Sequence, residues 1–378
     1  MKSSSARRLP VAFRRAGLLA VILAMSLAAC GSDEPADTEA SDDEATATEE
    51  PADSEDEEAD DSDSEEPEAA GEVVTLRWLS AFDPTDRASL FSFEFLEERL
   101  PELTDGTLQI ELTAGPESVD PFSFGEVIGT PAADIGQSSS AYTWSVIPEA
   151  AAYFYSCVEP PSEEREQGAL DYLDQIHREK INATVLGRAA FGQRYAFYSQ
   201  IEVNEWNDLE GEAMRVSPAY IPIIENFGGQ PISMPAGELF TALERGTVSG
   251  FAWPDVGATR LGGAHELINY RILPSYLQSD IMLYVNADVW EGLSPEHQEA
   301  LTTATAEMEE AGPAFYDELR EEEAVIYEEA GVETIEPSDG DMVHEWAYAG
   351  GREFLRTNVS DPDVAEELIS RFIPEGQC

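Results

Sequence analysis

Residues 31–72 contain no Lys, no Arg and no aromatic residue, only acids interleaved with Ser, Thr, Ala, Pro and Gly. Such a segment buries too little apolar surface to offset the entropy of ordering, and its like charges repel one another. It reads as an extended tether over residues 30–72. Whatever folds must therefore be built from residues 73–378, a body of roughly 300 residues, large enough for two lobes.

Ahead of the tether stands a different composition. Five cationic residues (Lys2, Arg7, Arg8, Arg14, Arg15) precede an apolar run, Leu18 to Leu27, that ends in Leu27-Ala28-Ala29-Cys30. A positive start, a short apolar middle and small residues before a cleavage point make a secretory signal. The run is shorter than the ~20 residues a helix needs to span a bilayer. With its Cys it resembles a bacterial lipoprotein signal, which implies that residues 1–29 are removed and that Cys30 is lipidated. The expectation is an exported protein held at the extracytoplasmic face of a membrane by acyl chains. The tether then either lifts the folded body away from the membrane or through a cell wall, or serves as a plain solvated spacer.

The formal net charge of −56 mixes tether and body. About twenty of the acids lie in the tether, and the body stays strongly acidic without them. That argues against nucleic acid as a partner, since phosphate contacts require Lys and Arg. It argues equally against attachment of the body's own surface to anionic lipid.

With Cys30 set aside, Cys157 and Cys378 remain as an even pair in an oxidising compartment. They form a disulfide pinning residue 378 onto the body, or stand as two separate thiols; sequence alone does not decide. No CxxC spacing occurs, and His177, His265, His297 and His344 are scattered singly, so no metal site and no cofactor is expected.

Val73 to Leu79 is a strand candidate. Phe91, Phe95, Leu96, Leu100 and Leu103 recur at helical spacing before the stop Thr104-Asp105-Gly106, and Leu108 to Leu112 alternates as a half-buried strand. The body thus opens β-α-β. Later, Pro231 to Met234 reads as a strand, Glu238 to Glu244 as a helix with Leu239, Phe240 and Leu243 inward, Gly246 as its C-cap, and Val248 to Trp253 as another strand. Such alternation predicts helices on a largely parallel sheet, with crevices beyond the strand ends. Ser294-Pro295-Glu296 starts a long helical run toward Ala330, which Gly312-Pro313 is expected to break or kink.

Four segments carry a resemblance. Trp206-Asn207-Asp208-Leu209-Glu210-Gly211-Glu212-Ala213-Met214-Arg215-Val216 looks like the "DLkGlkmRv" signature of the extracytoplasmic solute receptors of tripartite ATP-independent periplasmic (TRAP) transporters. Met234 to Val248 is similar to that family's "mp-gEvytaLqtGvvDG", Gly192-Gln193-Arg194 to its G-x-R strand entry, and Asp288 to Gln298 to its "-vWdkLspedQ" helix start. They occur in family order and span most of the body. The resemblance implies an α/β, two-lobed, class II-like periplasmic-binding-protein fold with discontinuous lobes: the first over about 73–191 and 279–318, the second over about 192–278 and 319–378. It implies a small organic-acid ligand and membrane permease subunits as partners.

In that family an arginine of the "kmRv" strand holds the ligand carboxylate, and the matching residue is Arg215. Guanidinium suits the task, being a rigid fork that keeps its proton; the alternative is a strand Arg paired to a neighbouring Glu. Arg194 matches a second arginine that orients the anion, or else holds strands together without touching ligand. Trp253 covers an apolar part of the ligand or packs in the core. Tyr142 lies where the family's first lobe contributes contacts, near Trp144, and Phe191 and Tyr195 flank Arg194. Two departures matter: Ser249 replaces the usual Asp, and Ala252 replaces the Glu that serves cation-assisted binding in keto-acid receptors. Ala236 stands where relatives often place an aromatic wall.

Other classes have less to stand on. No G-x-S-x-G, no H-E-x-x-H and no phosphate loop ending in Lys-Ser/Thr is present, so no catalytic residue is proposed. A receptor feeding an ATP-driven importer, or a sensor, would have a similar body.

Overall fold

The protein is described here as a computed structural model covering residues 72–378. The leader, Cys30 and the tether up to residue 71 lie outside the described residues.

The chain begins β1 (Val74–Ser80), α1 (Arg87–Leu103), β2 (Leu108–Ala114), α2 (Phe124–Val127) and β3 (Ile135–Ser139). Next come α3 (Ala151–Phe154), α4 (Pro161–Glu166), α5 (Ala169–Ile181), β4 (Ala183–Arg188), β5 (Arg194–Ser199), β6 (Ala213–Val216) and α6 (Ile221–Asn226). β7 (Gln230–Ser233), α7 (Leu239–Glu244), β8 (Gly250–Pro254), β9 (Tyr270–Gln278), β10 (Ile281–Asn286) and α8 (Ala287–Gly292) follow. The chain closes with α9 (Pro295–Ala330), β11 (Glu333–Ile335), α10 (Met342–Asn358) and α11 (Pro362–Phe372).

These strands make two sheets, ordered β2-β1-β3-β10-β4 and β11-β9-β5-β8-β6-β7, so the α/β fold is two-lobed. Both sheets are mixed, and the β6–β7 and β6–β8 pairs of the alternating stretch are parallel as expected. β1 runs parallel to β2 and β3, but β10 is antiparallel to both of its neighbours. β5 is likewise antiparallel to β8 and β9. The antiparallel strands are those that enter a sheet directly from the other one, through β4 to β5 and through β9 to β10.

Local chemistry explains the opening unit. Asp86 caps α1 by accepting from Ala88 N, and Leu96 and Leu100 are fully buried toward β1, where Trp78 is also buried. Thr104 ends the helix by donating to Leu100 O at 2.8 Å, and Asp105 and Gly106 turn away with positive φ. Burying side chains of this size stabilises by about 1.5–3 kcal/mol each.

The long run from Ser294 does not break. α9 continues through Pro313 to Ala330, with Ser294 Oγ accepting from His297 N at its start and Gly331 capping its end at φ 76°. Gly312 and Pro313 have a packing role instead. A Cβ on Gly312 would meet Phe191 O at 2.2 Å, and one on Gly192 would meet Pro313, so the small residue lets the β4–β5 crossing lie directly against the helix.

The final helices also depart from expectation. α10 packs on α6 and β9 but also on α3, while α11 packs on α3 and α5. Cys157 N donates to Phe372 O at 2.9 Å, and the Arg371 guanidinium reaches Gln167 O and Gly168 O. α11 therefore lies with the first lobe, not the second to which residues 319–378 were assigned, because its apolar face (Leu368, Ile369, Phe372) is buried there. Cys157 and Cys378 are joined beside it, their Cα atoms 5.9 Å apart.

Candidate functional site

Arg215 sits in the middle of β6, opposite Ile232 of β7 and Phe251 of β8, and is 1% exposed. Its Nε and Nη2 donate to Met234 O at 3.1 and 2.8 Å, and Nη1 reaches Ala252 O at 3.5 Å. The Trp253 ring lies 5.2 Å from Cζ. No carboxylate of the described residues pairs with it. A desolvated guanidinium served only by carbonyls and a π face retains a strong preference for an anion.

Arg215 lines a small inner chamber of about 30 Å³ between the sheets. From the first lobe come Phe82, Ser139 and Tyr142, and from the second Ser217, Tyr220 and Trp253. Burial pushes the Tyr142 phenol above its ordinary value, while the adjacent Arg215 pulls against that rise. Tyr220 is raised further, again by burial. Both phenols thus stay protonated and able to donate. Ala252 is fully buried, and Ser249 Oγ donates to Ala213 O, so neither departure from the family pattern faces the chamber. Trp144 packs on Phe354 and Phe154 outside it.

Arg194 is not part of this chamber. Its Nη2 donates to Glu159 at 2.7 Å, and its side chain lines a separate groove with Asp255 and Arg320. The chamber receives its neighbour Gln193, 2% exposed, whose Oε1 has no partner among the described residues. Successive side chains of an extended segment point to opposite sides, so the placement differs by one residue. Phe191 follows Arg194 into the outer groove, whereas Tyr195 lines the chamber and donates its hydroxyl to Asp280. Asp280, fully buried on the β9–β10 crossing, also accepts from Ser139 Oγ, Ser140 Oγ and Ala141 N. This network ties both sheets together at the floor of the cleft.

The chamber opens into a larger one of about 460 Å³, and Phe82, Asp86, Ser89, Tyr142 and Trp253 line both. Pro235, Ala236 and Phe240 form part of its second-lobe wall, so Phe240 faces the cleft where the helical pattern had turned it inward. No cluster of metal-ligating side chains occurs among the described residues.

Residues 84–346 match the model of the bacterial extracellular solute-binding protein family 7. The chain belongs to that family. This family 7 protein is 24% identical over 256 residues to a monocarboxylate 2-oxoacid-binding periplasmic protein of Nostoc sp., covering 65% of this chain and 70% of that one. It is 31% identical over 153 residues to the 2,3-diketo-L-gulonate-binding periplasmic protein of Escherichia coli, covering 39% of this chain and 45% of the relative. Among solved structures, the family 7 fold here resembles a TRAP periplasmic solute-binding protein from Desulfovibrio salexigens with bound orotic acid. The TM-score is 0.68 at 17% identity, over 78% of this chain and 96% of that one. Gln193, Ser217, Tyr220 and Asp86 are the site residues that the family motifs alone did not single out. No sequence signal marks Asp86 as a cleft residue; its role as the N-cap of α1 is a local one.

Proposed function

We propose that this protein captures a small organic acid in the cleft between its lobes and delivers it to the permease of a TRAP-type secondary transporter. The observation that carries this reading is Arg215: a buried guanidinium, lining a chamber, with no acidic partner among the described residues. A ligand carboxylate matches its fork and restores charge balance where water is excluded. The inner chamber admits a group of about one or two waters' bulk, the size of a carboxylate; the ligand body then occupies the outer chamber. Receptors of the family deliver ligand and are not an enzyme family, and the relatives named above bind carboxylates. Export and lipidation at Cys30 would keep the body at the membrane that holds the permease.

Isothermal calorimetry against a panel of carboxylates tests the reading. Binding that needs Arg215 supports it, and affinity that survives Arg215→Ala unchanged refutes the anchor. Intact mass of membrane-extracted protein tests Cys30: an unmodified N-terminus elsewhere would sink the lipid anchor.

A further inference from the structure

The two chambers differ in charge. The inner one balances the Arg215 guanidinium with one carboxylate, Asp86, among neutral polar groups that include Ser217, Tyr220 and Gln193, whose Oε1 has no partner among the described residues. The outer one presents four first-lobe carboxylates, Asp83, Asp86, Glu117 and Asp120, against a single cation, Arg260, among its described lining residues. None of the four has an ion-pair partner among the described residues.

Each carboxylate is instead fixed by local donors. Asp83 accepts from Thr85, Glu117 from Gly115 N, Asp120 from Phe122 N, and Asp86 from Ala88 N and Ser89 Oγ. A carboxylate offers about four acceptor sites, so Asp86 retains capacity for a further donor. It is also the acid that lines both chambers. Burial raises its carboxyl above the ordinary value, with the hydrogen bonds from Ser89 and Ala88 and then the Arg260 charge opposing that rise only in part. The whole chain is acidic, but acids on open surface are solvated and screened. Asp83, Glu117 and Asp120 are exposed acids of that kind at the rim, whereas Asp86 is partly buried and borders the chamber with Phe82, Tyr142, Trp253 and Phe240 on its walls, aromatic faces that attract cations.

We propose that the ligand is a zwitterion: its carboxylate sits on Arg215 in the inner chamber, and its cationic nitrogen lies in the outer chamber against Asp86 and the aromatic walls. This rests on the reading of Arg215 as the carboxylate anchor. A dianion would bring its second charge against the four carboxylates. A singly charged acid with an apolar or hydroxylated body would leave Asp86 without an ion-pair partner among the described residues.

The experiment is calorimetry on the full chain with matched probes. γ-Aminobutyrate, proline and glycine betaine are each compared with the isostere lacking the positive charge (pentanoate, cyclopentanecarboxylate, 3,3-dimethylbutanoate), and with glutarate as a dianion. At least one zwitterion should bind ten times or more tighter than its isostere, and glutarate should not bind. Asp86→Asn, which preserves the helix cap, should weaken the zwitterion by about 10- to 100-fold and leave the isostere unchanged. Isosteres or glutarate binding as well as the zwitterions overturns the proposal, as does a preference that survives Asp86→Asn. Silence of every zwitterion, or binding abolished by a calcium chelator, overturns it too. Monoanions that bind only when Arg215 is intact, with the zwitterions silent, refute this proposal and leave the anchor standing. Binding indifferent to Arg215→Ala removes both.

Discussion

Arg188 and Glu164 form an ion pair shut off from water, 2.6 Å apart with side chains 0% and 1% exposed. Burial opposes the charge on Arg188, but Glu164, together with Tyr153 and Asp280, outweighs it and holds the guanidinium above its ordinary value. Arg188 also donates to Ser279 O beside the β9–β10 crossing and lies 3.8 Å from the Tyr153 ring centroid. Glu164→Ala leaves that guanidinium buried without its acid, and should cost about 3–5 kcal/mol of stability. Urea unfolding measures this, and a loss below about 1 kcal/mol would show that water reaches the pair.

For Arg215, truncation to Ala should weaken ligand by about 30-fold to several thousand-fold, the cost of removing one partner of a desolvated charge pair. Arg215→Lys should also weaken binding, since ammonium keeps the charge without the fork. Because no cluster of metal-ligating side chains occurs among the described residues, affinity should be the same with and without sodium or calcium. Strict dependence on either ion would contradict this.

Arg194→Ala should leave ligand affinity within about threefold, because its partly exposed pair with Glu159 lies outside the chamber and is worth at most about 1 kcal/mol. Gln193→Ala should reduce affinity instead. The reverse pattern in calorimetry would return the role to Arg194.

In the exported form Cys157 and Cys378 should be bridged. Non-reducing peptide mapping should yield one cross-linked peptide, and reduction should cost about 2–4 kcal/mol for a link closing so long a loop. Two alkylatable thiols would refute the bridge.

His177 is fully buried, its Nδ1 2.8 Å from Leu173 O, and burial lowers its pKa from 6.5 to about 4. The folded state thus binds the proton more weakly than the unfolded one. Its contribution is present above about pH 6.5 and is lost as pH falls toward 4, on the order of 3 kcal/mol in all. His177→Gln should flatten stability against pH across that window relative to the parent; an unchanged slope would assign the acid sensitivity elsewhere.

The sequence carried the β-α-β opening, the stop of α1, the cap of α9 and the strand position of Arg215, because local spacing and a contiguous motif determine each of them. It left the role of Arg194 open and did not single out its neighbour Gln193, because a one-residue shift in an extended segment exchanges its two faces and no local signal fixes the register. Pro313 suggested a break because local rules could not include the crossing at Phe191 and Gly192 that packs on the helix there. The lobe of α11 depended on which distant apolar surface its Leu368 and Phe372 would meet. Nothing local marks Asp86, and only the fold reveals that this N-cap of α1 borders both chambers.

The entry into β1 and the Cys157–Cys378 junction both lie with the first lobe, whereas each segment that enters the second lobe leaves it again. Mechanically, the first lobe is the mount and the second is slung from it. A pull through the segment before Val74 reaches the second lobe only by way of the crossings, α9 and α10. A body restrained at that end would clasp its ligand by swinging the second lobe, carrying Arg215 and Trp253 toward a stationary Tyr142 and Asp86.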